Sequence, residues 1–229
     1  MNAHRSKWIP LLGILLLCSS FGWSQSYTFV QGGATACAPG HHYQKLGFGA
    51  VSRKTSDSCS RGTATASSKA SFVNNLVAMG TTAAYDGIAG ANGEDFDVIT
   101  LKAPKGFKGN TVQFSYTDAF ALSISGLGGK NQANAQVCWY IFVGSKQKLM
   151  ECHASSINGN IRGLVHHEFV LTKSSSGFQF STDKIASVAI SAGPQTPRHI
   201  TTGSISPAHF HMILPKGWTC TKGSGTTCP

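Results

Sequence analysis

His209 and His211 stand two residues apart in Ala208-His-Phe-His-Met-Ile-Leu214, a stretch whose alternation predicts a β-strand. Both imidazoles leave such a strand on one side, opposite Phe210, Met212 and Leu214. An imidazole pair on an open sheet face supplies part of a copper or zinc site, and His166 could add a ligand if its strand lies alongside. A solvated face with incidental histidines fits the same spacing. His167-Glu168 opens like a zinc-protease motif, but position 171 is Leu, which rules that motif out. Asp86, Glu94, Asp95 and Asp97 lie among Gly87, Gly90 and Gly93. That composition suits a hard cation such as calcium, although it does not match an EF-hand loop, and a flexible acidic turn reads equally well. There is no Gly-x-Ser-x-Gly elbow, phosphate loop or dinucleotide fingerprint. A carboxylate pair for hydrolysis of a cell-wall polysaccharide would meet only in space.

Cysteine usage points to a compartment. Cys37, Cys59, Cys138, Cys152, Cys220 and Cys228 form an even set once Cys18 is assigned to a leader segment. In an exported chain that reads as three disulfides, and proximity favours Cys37–Cys59, Cys138–Cys152 and Cys220–Cys228. The middle pair has support of its own. Val137 to Val143 and Lys148 to Ala154 read as the arms of a hairpin about Gly144-Ser145, with Cys138 and Cys152 equidistant from Ser145.

Residues 1–24 carry Arg5 and Lys7, an apolar run from Trp8 to Cys18, and small residues up to Ser24. This is the pattern of a secretory signal peptide, with no stable membrane span expected after its removal. Its loss takes only two of the 19 basic residues and none of the nine acidic ones, so the remaining chain stays strongly basic. The lysines are scattered through turns and form no stripe with interleaved aromatics, which argues against nucleic acid. Extracellular polysaccharide or an anionic cell-surface polymer is the more natural partner. Trp218, just after the last expected strand, could stack on a sugar ring or cap the end of a sandwich. Trp139 and Tyr140 must point to opposite faces of their strand.

Elsewhere in the chain, short alternating runs between Gly, Pro, Asn and Ser clusters predict about ten strands and no sustained helix. Val112, Phe114 and Tyr116 share one face of a strand, as do Val165, His167, Phe169 and Leu171 of another. Residues 85–97 read as a loop, and residues 25–66 as a strand followed by a disulfide-closed loop. The expected organisation is a signal peptide over 1–24, that N-terminal unit over 25–66, a β-sandwich over 67–218, and a stapled tail over 219–229. The fold class is all-β, an antiparallel two-sheet sandwich of jelly-roll type.

Phe96-Asp97, Ile99-Thr100-Leu101, Pro104, Gly109 and Val112-x-Phe114, with the closing Ala208-His-Phe-x-Met-Ile-Leu-Pro-Lys-Gly-Trp218, carry a resemblance. The stretch 70–218 resembles exported bacterial β-sandwich proteins of the group that often bears a PEP-CTERM sorting signal. The chain ends in Gly-Thr-Thr-Cys-Pro, without that signal's hydrophobic helix and basic tail. The resemblance implies the fold and export, and assigns no activity. The sequence therefore leads to a secreted, non-enzymatic sandwich with a structural or surface-binding role. A metal-binding protein or metal-dependent enzyme, using the histidines, is the alternative, and a polysaccharide hydrolase is a further one.

Overall fold

Period-two alternation runs through nearly all of the chain. The computed structural model describes residues 26–36, 39–59, 62–71, 77–84, 87–127, 131–191, 201–205, 208–223, 225 and 227–228. Among these every regular element is a strand: β1 (Tyr27–Thr35), β2 (His41–Gly47), β3 (Val51–Cys59), β4 (Gly62–Ala70), β5 (Val77–Ala84), β6 (Ile88–Lys102), β7 (Thr111–Ser125), β8 (Gln132–Val143), β9 (Lys146–Ser155), β10 (Gly159–Thr172), β11 (Phe178–Ser191), β12 (Thr201–Ile205), β13 (Ala208–Ile213) and β14 (Thr219–Lys222).

The strands form two antiparallel sheets. The first runs β2-β1-β6-β11-β8-β9, with β14 added on β6 in line with β1. The second runs β10-β7-β12-β5-β4-β3, with β13 added on β7 in line with β12. The sheets pack face to face over one apolar layer. Val30, Ile99, Leu122, Val137, Trp139, Ile141, Val165, Val188 and Ile205 are all shut off from solvent there. Burying each large side chain contributes about 1.5–3 kcal/mol, so this layer is what holds the sheets together. Met212 faces the layer and His211 faces solvent, as the alternation of that strand requires.

Several stretches depart from the sequence expectation. Residues 41–47 and 51–59 are strands where a loop was expected, and β4 begins within that loop at Gly62. Their inward positions include Ala64, Ala66 and Ala70, so low apolar content reflects small side chains in a tight place. Residues 88–97, expected in a loop, form the first part of β6. β7 and β11 are long strands that run through Asp118 and Asp183 without a break. The C-terminal tail contributes β14 to the first sheet and is closed by Cys220–Cys228.

The central hairpin carries Cys138–Cys152, directly opposed in register. Its two-residue turn is Gly144-Ser145, with Gly144 at φ +59°. That turn alone would set Cys138 against Glu151. A bulge between Ile141 and Phe142 leaves Lys148 unpaired and moves the register by one residue, which brings the cysteines together. Cys59 is also disulfide-bonded. Cys37 lies outside the described residues. Disulfides of this kind persist in an oxidising extracellular or periplasmic setting.

Candidate functional site

Alternation in β6 divides the expected acidic group. Asp95 and Asp97 point between the sheets, and Glu94 and Phe96 point out of the first sheet. Asp86 lies outside the described residues. The acids therefore do not gather as a calcium loop. Among the described residues no group of three or more His, Cys, Asp or Glu side chains is arranged to hold a metal ion.

Glu94 and Phe96 belong to a patterned outer face. Cross-strand register sets Tyr27, Phe96, Asp183, Tyr140 and Met150 in one row across β1, β6, β11, β8 and β9. Neighbours in such a row stand about 4.8 Å apart. Tyr27 stacks on Phe96 with centroids 5.1 Å apart and planes 15° apart. Tyr140 and Phe142 lie 6.3 Å apart at 13°. Asp183 sits in the row between these two pairs of nearly parallel rings. Its diagonal neighbour is Glu94, whose Oε1 accepts a hydrogen bond from the Tyr27 hydroxyl. Burial, then Glu94 and Asp95, push the Asp183 carboxyl well above the usual carboxylate range. Burial also raises Glu94, partly offset by the Tyr27 hydroxyl, and raises Tyr140, with Asp183 adding to the effect. Beside Phe142 the face sinks into a depression of about 240 Å³ lined by Val98, Gln179, Ser181 and the Gly144-Ser145 turn. Flat aromatic pairs beside hydroxyl, amide and carboxyl groups can stack on an apolar ring face and hydrogen-bond its edge.

The interior holds a second polar constellation. Asp118 is fully buried; its Oδ2 receives the Trp139 Nε1–H at 2.8 Å and the Tyr116 hydroxyl at 3.3 Å, and pairs with the Lys184 ammonium. Asp97 accepts from the Ser26 hydroxyl and from Gly223 N–H, and lies 4.0 Å from the Lys222 ammonium. Between them is a cavity of about 30 Å³, lined in part by Asp95 and Asp97, with room for a water molecule. Burial raises the Asp95 carboxyl from 3.8 to about 7, against the pull of Lys184.

The remaining candidates separate. His166 and His211 flank Thr117 from β10 and β13 on the outer face of the second sheet, and His166 Nδ1 lies 2.9 Å from the Thr117 hydroxyl. The His209 side chain lies outside the described residues. Trp218 is half-buried, edge-on to Phe107 and Phe178 with centroids 4.9 Å from each, so it caps the sandwich end. His167, expected on the core side of its strand, meets Glu151 of β9 at 2.5 Å, and His153 meets the other oxygen at 2.7 Å. This clasp joins the edges of the two sheets.

Sequence reasoning missed Asp118, Lys184, Asp183 and the Glu151 clasp. Asp118 and Lys184 did leave a trace: each occupies a core position in an otherwise apolar alternation, between Tyr116 and Phe120 and before Ala186. Asp183 left none, because its importance comes from the order of β1, β6, β11 and β8. No protein-family model and no curated protein matches the chain.

Proposed function

We propose that this chain is a secreted, non-enzymatic β-sandwich that binds polysaccharide at a cell surface or in an extracellular matrix, through the outer face of its first sheet. The observation that carries this reading is the row in which two pairs of nearly parallel aromatic rings flank Asp183. Aromatic rings held together on one sheet face offer apolar surface against which a sugar ring can pack. The signal-peptide pattern over 1–24 and the disulfides support export. The strand order supports the jelly-roll reading, since strands alternate between the sheets from β5 to β8 and again from β9 to β12. It also agrees with the resemblance to exported bacterial sandwich proteins.

The test is retention of the purified, oxidised protein on insoluble polysaccharide, with Tyr140→Ala and Phe142→Ala beside it. Retention weakened about tenfold by either change, the equivalent of about 1.4 kcal/mol for a lost stacking contact, supports the reading. Retention unchanged by both variants moves the binding elsewhere and ends it.

A further inference from the structure

We propose that the outer face of the first sheet takes an uncharged, hydroxyl-rich polysaccharide and rejects acidic ones, with Glu94 and Asp183 making the choice. The inference rests on the glycan-binding reading and names its ligand class.

The argument starts from placement. Asp183 stands in the ladder row between Phe96 on β6 and Tyr140 on β8, so a chain laid across both aromatic pairs crosses its carboxyl. Asp183 Oδ1 is enclosed and has no hydrogen-bond partner among the described residues. The ionisable groups that face it are Glu94 from β6, Tyr140 from β8, and Tyr27 from β1 through Glu94. Asp95 acts on it from the inner face of β6. The nearest cation along the chain, Lys184, points the other way and is committed to Asp118.

Two carboxyls diagonal to each other, partly desolvated and backed by a third, resist carrying two charges. A protonated carboxyl donates one hydrogen bond and accepts others, which suits ring and glycosidic oxygens and hydroxyls. A uronate or phosphate laid on the same row would bring its charge against Glu94 and Asp183. The chain is basic overall, and that would draw anions at long range. At physiological salt, however, charges more than about 8 Å away are largely screened, so the two acids at contact outweigh scattered turn lysines. The depression beside Phe142 is smaller than the roughly 300 Å³ lower bound of drug-sized pockets, which suits a single ring of the chain.

The experiment compares retention of the oxidised protein on an insoluble neutral β-glucan and its binding to soluble polygalacturonate, at pH 5 and pH 9, for wild type, Asp183→Asn, Glu94→Gln and Tyr140→Ala. The expected result is retention on the glucan and none on polygalacturonate. Retention should weaken as pH rises and the acid pair gives up its proton, and Asp183→Asn should remove that dependence. Polygalacturonate bound as tightly as the glucan, and lost in Tyr140→Ala, would keep the binding face and overturn its ligand class. Failure to bind any polysaccharide would end both readings. So would a dimer by light scattering that Tyr140→Ala dissociates, because the face would then belong to a second copy. Asp183→Asn and Glu94→Gln keep the side-chain shape, so wild type and these two variants decide the matter even if Tyr140→Ala folds poorly.

Discussion

At the scale of single residues the interior charges set the stability. Asp118 and Lys184 lie between the sheets with almost no access to solvent, and Trp139 and Tyr116 complete the Asp118 environment. Removing one member of such a pair leaves an uncompensated charge in the core. Asp118→Ala is expected to destabilise the fold by about 3–5 kcal/mol, measured by urea unfolding. Asp95 acts through pH. Its folded carboxyl keeps a proton up to about pH 7, against an ordinary value of 3.8. A raised acid contributes stability that is full below the ordinary value and is lost as pH climbs to about 7. Asp95→Asn should therefore flatten the fall of Tm over that window, and should melt above wild type at pH 8. A Tm profile of the variant that parallels wild type would contradict this assignment. Glu151 has the opposite sign. Burial pushes its carboxyl up, but the hydrogen bonds from His167 and His153 outweigh that and leave it lowered. Its contribution is present above the usual carboxylate range and lost as pH falls through it. Because the clasp lies at the sheet edges and solvent still reaches it, Glu151→Gln should remove under about 1 kcal/mol at neutral pH, seen as a small drop in Tm.

At the scale of elements, the hairpin shows what was legible and what was not. The turn residues and both cysteines could be read from the chain, and so could the bridge between them. The bulge could not, because Lys148 looks like any other edge-strand residue and only the pairing reveals it as the extra one. Deleting Lys148 removes the extra residue, so the bulge should vanish while Cys138 stays opposite Cys152 on a regular hairpin. The expected outcome is no alkylatable thiol from this pair under denaturing, non-reducing conditions, counted by mass; two free thiols would mean that the pairing needs the bulge. Alternation also placed Met212 inward and His211 outward, and set Trp139 and Tyr140 on opposite faces, of which Trp139 is the buried one. It failed where a polar residue took a core position. Asp118 sits at a core position within one long strand. Small side chains misled in the same way, since Ala64, Ala66 and Ala70 fill the core opposite larger neighbours. The outer strands carry their own protection. Arg53 and Lys54 on β3, and Lys146 and Lys148 on β9, put charge on two sheet edges that would otherwise pair with another chain.

At the scale of the molecule, strand order is what sequence reading could not reach, and the candidate face depends on it. Tyr27, Phe96, Asp183 and Tyr140 are spread over more than half the chain, and become neighbours only because β1, β6, β11 and β8 lie side by side. Each residue alone reads as an ordinary strand position. The same order predicts slow folding. Nearly every sheet contact joins distant parts of the chain, so refolding of the disulfide-intact protein should take milliseconds to seconds or longer, measured by stopped-flow Trp fluorescence. Relaxation within microseconds would mean that the long-range pairings are not limiting.

The position of β6 has a consequence for how the protein is made. This strand lies early in the chain, yet its partners are β1 on one side and β11 and β14 near the other end. While synthesis proceeds, β6 can find β1 but must wait for the rest. Until β11 has emerged one edge of β6 stays unpaired, and the end of its other edge waits for β14. An oxidising setting then joins Cys220 to Cys228 and fastens that last strand in place.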